Sequence, residues 1–253
     1  MDRVIYTALT SLSARQRAQA VTANNLANAE TIGFKREIIA AESRYLGTES
    51  RLGPSQIARA QSGAPSLTTP LSAGRSLPTG RPLDIALAGE AWLAVEGPPK
   101  DGQPTEAYTR RGDLSVSPAG QLILGDGSVP LDTGGQPIQV PPGATLQIGP
   151  DGSLSALQDG VTTPIAQLKL VAGGSKETGF DKAPDGRFTS ATPLAADPSA
   201  RLVTGTLETA NINATEAMVQ LVEQSRAFEA SARLLRTARE LDESGARLIR
   251  MEN

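Results

Sequence analysis

The sequence predicts an α+β chain: paired N- and C-terminal helices, coiled-coil-like, with an all-β, hairpin-rich domain inserted between them. Three observations carry this. The stretch from Asn213 to Met251 keeps apolar residues seven apart. The first 27 residues contain no Gly or Pro and are rich in Ala, Arg, Gln and Leu. The middle, from about residue 81 to 204, breaks into short alternating runs separated by Gly, Pro and Asp. These are the signatures of a helix with one sticky face, of a good helix former, and of β hairpins.

The C-terminal helix is the strongest element. Leu221, Phe228 and Leu235 form one row, and Ala227, Leu234, Leu241 and Leu248 the row beside it. Together they make a stripe about two residues wide on one helical face. Glu223, Arg226, Glu229 and Arg233 occupy the opposite side. Asn213 is a natural N-cap, and Glu216 three residues on completes the pattern of a capping box. At 1.5 Å per residue the helix spans roughly 55 Å, so a short local turn does not bury its stripe. It calls for a long partner, and the other end of the chain offers one.

The N-terminal helix, residues 2 to about 27, places Ile5, Leu9, Leu12, Ala20, Ala23 and Leu26 near one face, interrupted by Gln16 and Gln19. It is weaker alone than its C-terminal counterpart and needs support. Asn24, Asn25 and Asn28 then crowd its end, because Asn tolerates the left-handed conformation and bonds nearby backbone. Gly33 permits a turn and Phe34 supplies an anchor. This is a helix terminator followed by a docking hook. The domain boundaries follow: an assembly helix and Asn-rich motif over 1–35, an extended arm over 36–80, a β domain over 81–204 and a second assembly helix over 205–253.

The arm carries Pro54, Pro65, Pro70 and Pro78 and little periodicity. It is a segment that orders against neighbours or a flexible linker. In the β domain Leu83, Ile85 and Leu87 alternate with small or polar residues, and Trp92 to Val95 form a continuous apolar run. Leu114 and Val116, Leu122 and Leu124, Leu146 and Ile148, and Leu168 and Leu170 repeat the alternation between turn residues.

Composition excludes several chemistries. The 253 residues include no Cys and no His, which removes disulfides, thiolate sites, the commonest general base and the commonest metal ligand. The net charge of −3 gives no bulk attraction for nucleic acid. No run of about 18 apolar residues is present, so no membrane span is expected. The N-terminus has no apolar core or cleavage site of a secretory signal. Asp84 and Glu90 lie close in sequence, and a carboxylate pair can cleave glycosidic bonds, but nothing marks a cleft there. Val171 to Lys176 misses the phosphate-loop spacing, and Asp126-Gly127 and Asp151-Gly152 are turn dipeptides without calcium-loop spacing. No cofactor and no metal are expected.

The segment Ala23 to Lys35, ANNLANAETIGFK, resembles the N-terminal signature of the flagellar rod and hook proteins. A second match opens the C-terminal helix: Gly205, Leu207, Glu208, Asn211, Asn213 and Glu216 fall at the family's positions, with Ala210 where Ser is usual and Ile212 where Val is usual. Between them, Thr79 to Leu87 (TGRPLDIAL) and Ala107 to Leu114 (AYTRRGDL) are similar to two internal family patterns, Leu114 replacing a Phe. Residues 36–78 and 172–200 stay unmatched. The opening MDRVIYTAL and the length resemble the proximal-rod members more than the distal-rod or hook members.

The resemblance implies a structural, non-enzymatic subunit of the basal-body rod, which carries torque from motor to hook. It implies assembly with other proximal and distal rod proteins through the terminal helices, a periplasmic location, and export by the flagellar type III apparatus without a cleaved signal. The assembly residues it points to are Asn24, Asn25, Leu26, Asn28, Gly33, Phe34, Gly205, Leu207, Glu208, Asn211, Asn213 and Glu216, with Leu221, Phe228 and Leu235 supplied by the helical stripe. A distal-rod subunit and a wall hydrolase acting at the rod are the alternatives.

Overall fold

A computed structural model describes residues 2–40, 43–46, 59–62, 66–100, 103–173 and 179–251. Much of the expected arm and the glycine-rich Gly174-Ser175-Lys176 lie outside the described residues. The chain divides into two compact units, and both are discontinuous in sequence: a helical unit of 1–27, 37–70 and 212–253, and a β unit of 28–36 and 71–211.

In the helical unit, α1 (Asp2–Ala27) packs against α2 (Ala214–Met251). Asn213 caps α2, its Oδ1 accepting from the Glu216 amide at 3.3 Å. Along α2 Ala217 is buried and Ala214, Leu221, Gln224, Ser225, Ala227, Phe228, Ser231, Ala232 and Leu235 are half-buried, a stripe along which Ala217, Leu221, Gln224, Phe228, Ser231 and Leu235 follow in steps of four and three. Leu234, expected within the stripe, is 72% exposed. The stripe is one row wide there, because a row next to a seam rotates away from a single partner. The side chains of Leu241 and Leu248 lie outside the described part.

The face of α1 also differs from the expected one. Leu9, Ala20 and Ala23 are exposed, Leu12 and Leu26 are half-buried as expected, and Ala14, Ala18, Gln19, Val21, Thr22 and Asn25 are covered as well. Small side chains line the contact, since a close helix approach favours Ala and Thr over large residues that advertise themselves in the sequence.

The arm contains antiparallel ladders: β1 (Ile38–Ala40) pairs with β4 (Ser66–Thr68), and β2 (Ser43–Leu46) with β3 (Arg59–Ser62). In sequence the β2–β3 ladder lies between the strands of the β1–β4 ladder. Their alternation is hidden by small and polar residues, so they read as loop.

The β unit has fourteen described strands, all antiparallel in their pairing. β5 (Ser76–Pro78) and β6 (Ile85–Leu87) lead into β7 (Ala91–Lys100) and β8 (Gln103–Thr109), followed by the hairpin β9 (Leu114–Val116) and β10 (Leu122–Leu124). β11 (Thr145–Ile148), β12 (Ser153–Gln158) and β13 (Val161–Gln167) form a meander. β14 (Leu170–Ala172), β15 (Asp181–Lys182) and β16 (Phe188–Thr189) complete a five-stranded sheet of order β14-β7-β8-β16-β15. β17 (Leu202–Thr204) pairs with β6, and β18 (Thr206–Glu208) with β5.

The central strand β7 explains its own sequence. Ala91, Leu93 and Val95 enter one apolar cluster with Leu122, Leu124, Leu154 and Leu168. Trp92 and Ala94 enter a second cluster with Tyr108, Val171 and Phe188. Both faces are covered, so the strand is a continuous apolar run. Trp92 meets Phe188 and Phe180 edge-on at 4.8 and 5.1 Å.

Residues 28–36 and 205–211 belong to the β unit, because their backbones bond to it and to each other rather than continuing the helices.

Candidate functional site

The two motif segments that flank the helices meet at one buried carboxylate. Gly33 donates its amide to the Glu208 carbonyl at 2.8 Å, and Asn211 donates its amide to the Phe34 carbonyl at 3.3 Å. Asn211 adds a side-chain bond, its Oδ1 accepting from the Arg36 amide at 2.7 Å. The ends of the expected assembly motif thus form a short ladder within the β unit.

Glu208 is 3% exposed and sits between two cations. Lys35, fully buried, donates Nζ to Glu208 Oε1 at 2.5 Å and to the Ser72 carbonyl at 2.9 Å. Arg110, also 3% exposed, donates Nε and Nη2 to Oε2 at 2.8 and 2.6 Å. The Gly74 amide reaches Oε1 at 2.9 Å. The rest of the guanidinium binds the carbonyls of Leu87, Gly89 and Ala91. Arg110 also lies 5.7 Å from the Trp92 ring centroid, tying the ionic cluster to the aromatic one.

Burial pushes the Glu208 carboxyl up, but the Arg110 charge, Lys35 and the Gly74 amide outweigh it and hold it below the ordinary range. Burial pulls the Lys35 ammonium down by more than Glu208 restores. Both Glu208 oxygens, all three Arg110 nitrogens and the Lys35 ammonium have hydrogen-bond partners, so the cluster holds chain segments together. The side of the site opens to a groove of about 440 Å³ lined mainly by small residues such as Ala73, Ala86 and Ala88.

The acid limb of stability follows. The folded carboxyl titrates below its unfolded value, so its contribution is present above about pH 4.5 and is lost as pH falls through the depressed value. With no His or Cys in the chain, the Glu208 contribution stays level above about pH 5 and drops as the pH falls below it. An equilibrium acid titration read by Trp92 fluorescence checks this, and a transition near neutrality refutes it.

Two glycines set the backbone. Gly33 has φ +69°, and a Cβ there lies 2.5 Å from the Arg110 carbonyl carbon and the Arg111 nitrogen. Gly33→Ala is expected to destabilise the β unit by about 3 kcal/mol, combining left-handed strain with overpacking. A urea midpoint unchanged from wild type counts against the close approach. Gly205, φ +71°, turns the chain from β17 into β18, its carbonyl accepting from the Thr79 and Gly80 amides.

The remaining expected residues lie apart from this cluster or support it. Phe34 is buried, with Lys182 Nζ 3.9 Å from its ring centroid and bonded to the Lys35 carbonyl. Leu207 is buried and pairs with Leu77 across β5 and β18. Asn28 begins the turn that leads to Gly33, accepting from Thr31. Asn24, Asn25 and Leu26 stand in the last turn of α1, and Asn25 bonds both backbone groups of Glu37 at 2.7 and 2.9 Å. Asn213, Glu216, Leu221, Phe228 and Leu235 belong to the helical unit. Sequence reasoning missed the pairing of Lys35 and Arg110 with Glu208; the available signal was that each lies inside a family-like motif. The Asp84 and Glu90 pair dissolves: Asp84 is buried and clamped by Arg81 Nε and Nη2 at 2.8 and 2.7 Å, whereas Glu90 is exposed. Among the described residues no helix is long and apolar enough to cross a membrane.

Comparison with known proteins matches three family models: "Flagella basal body rod protein" over residues 5–35, "Flagellar hook protein FlgE/F/G D1 domain" over 86–156, and "Flagellar basal body rod FlgEFG protein C-terminal" over 203–248. The flagellar basal-body rod protein FlgF of Salmonella typhimurium is 35% identical over 99% of this chain and 100% of its own length. FlgF of Escherichia coli is 38% identical over 93% of both chains. The rod protein FlgG of Bacillus subtilis is 28% identical over 95% of this chain and 97% of its own. These are structural proteins and not enzymes, and likeness at this identity across almost the whole length shows that the chain belongs to the flagellar basal-body rod protein family.

Proposed function

We propose that this chain is a structural subunit of the proximal segment of the flagellar basal-body rod, and that its terminal helices carry it into a helical shaft that transmits torque from motor to hook. The observation that carries the reading is the full-length likeness to proteins named FlgF at 35% and 38% identity, above the FlgG relatives at 28% and 29%. The surface of the helical unit supports it. Leu221, Phe228 and Leu235 are only half covered by α1, and Met218, Val219 and Val222 stand more than half exposed. The Gln224 side-chain oxygen is buried and has no hydrogen-bond partner among the described residues. A pair of helices left this incomplete gains from further helices at the same seam, each fully buried large side chain contributing roughly 1.5–3 kcal/mol. Contacts that do not close on themselves generate an open helical assembly.

In this reading α1 and α2 pair as a coiled coil and are the assembly segments, and Asn24 and Leu26 meet neighbours. Partners are the other proximal and distal rod proteins, and the chain travels through the flagellar type III apparatus to the periplasm without a cleaved signal. The test is electron microscopy of basal bodies from cells lacking the chain. Rods absent or truncated before the distal segment support the reading; complete rods refute it. A distal position is the second reading, favoured by the end-to-end match to FlgG relatives. Subunit stoichiometry in purified rods separates the two, the distal subunit being the more abundant.

A further inference from the structure

The β unit cannot satisfy its buried charges until its last segment is in place. Lys35 and Arg110 are both buried, and the carboxylate that bonds them lies 173 residues after the first and 98 after the second. The same late segment supplies the partner strands of β6 and β5. It provides the carbonyl that receives the Gly33 amide and the amide that donates to Phe34. It fills the core with Leu202, Leu207 and Ala210. A unit assembled from 28–201 alone lacks the one carboxylate that bonds both cations, so burying them as the complete unit does would leave two charges without an anion, among the most costly arrangements a protein interior can hold.

We propose that Glu208 is the closing element of a folding gate: the β unit stays open, and threadable, until Leu202 to Asn211 have been delivered. A chain that emerges N-terminus first therefore keeps its largest unit unfolded until 211 of its 253 residues are out. The gate is electrostatic as well as topological. The missing strands leave edges that water can serve, whereas the two cations reach their buried positions only against the Glu208 carboxylate that bonds them both. The property belongs to the chain and holds whatever its position in a rod.

Nascent chains test it. Full chains held on the ribosome by a C-terminal extension that carries Asn211 clear of the tunnel are compared with chains arrested just past Asn211, whose last strands remain inside. Both meet a brief pulse of protease, and survival of the segment around Trp92 is read. The expected result is at least tenfold greater survival in the extended chains. Equal survival in the early-arrested chains overturns the gate. In the extended chains, Glu208→Gln keeps the shape and removes the charge, and is expected to lose that protection. Leu207→Ala removes a neighbouring core side chain on the same strand and is expected to retain most of it. If Glu208→Gln remains as protected as wild type, or Leu207→Ala loses as much as Glu208→Gln, the charge is not what closes the unit.

Discussion

Glu208→Ala is expected to destabilise the β unit by about 3–5 kcal/mol, enough to consume most of the stability of an ordinary domain. The loss is not that of one ion pair. Truncation leaves Lys35 and Arg110 buried with no carboxylate, and strips the Gly74 amide of its acceptor. Removing the cations instead is milder when shape is kept. A Lys35→Met, Arg110→Met, Glu208→Leu triple variant takes charge out altogether, and is expected to recover at least half the loss, because apolar replacement of a buried ionic group is often neutral or better. Urea denaturation followed by Trp92 fluorescence measures both. The position suits the probe, since the guanidinium of Arg110 lies over that indole. A shift below about 1 kcal/mol for Glu208→Ala would show that water or another group compensates, and would remove the cluster from the centre of the fold.

Leu235→Asp is expected to abolish incorporation into rods, and with it motility, while leaving the urea midpoint of the β unit unchanged. Leu235 is half-buried on the covered stripe of α2 and belongs to the helical unit, whereas Trp92 belongs to the core of the β unit. A carboxylate there must stay in water, so the seam opens at that turn and each subunit stacked against it loses the same contact. The repetition multiplies a modest local cost along the assembly. Leu234→Asp, one residue away but 72% exposed, is the matched control and is expected to assemble. Motility in soft agar and subunit content of purified basal bodies give the readout. Normal rods containing Leu235→Asp would refute the role assigned to the seam.

The parts of the fold legible in sequence were those written in large apolar side chains. The rows through Leu221, Phe228 and Leu235 mark α2, and Trp92 to Val95 mark the strand covered on both faces. The α1 face was misread because its contact is built from Ala14, Ala18 and Thr22, whose small size matters at close approach and leaves no hydrophobic signal. Strands as short as β5 and β18 carry too few residues for a period to show. The ionic cluster was hidden for a different reason. Lys, Arg and Glu are surface residues by default, and no local pattern states that three of them, scattered over 173 residues, are buried together. Glu208 stood out through its family motif, but its partners did not.

The bond between Asn25 and Glu37 has a mechanical meaning. The chain leaves the helical unit after Ala27 and returns at Glu37, and the Asn25 amide grips both backbone groups of Glu37 at the base of that excursion. Tension drawn along α1 therefore reaches β1 by two routes in parallel. One is the covalent detour through residues 28–36. The other is a side-chain shunt that bypasses it. Under any load carried along α1, such a shunt keeps strain out of the detour that holds Lys35.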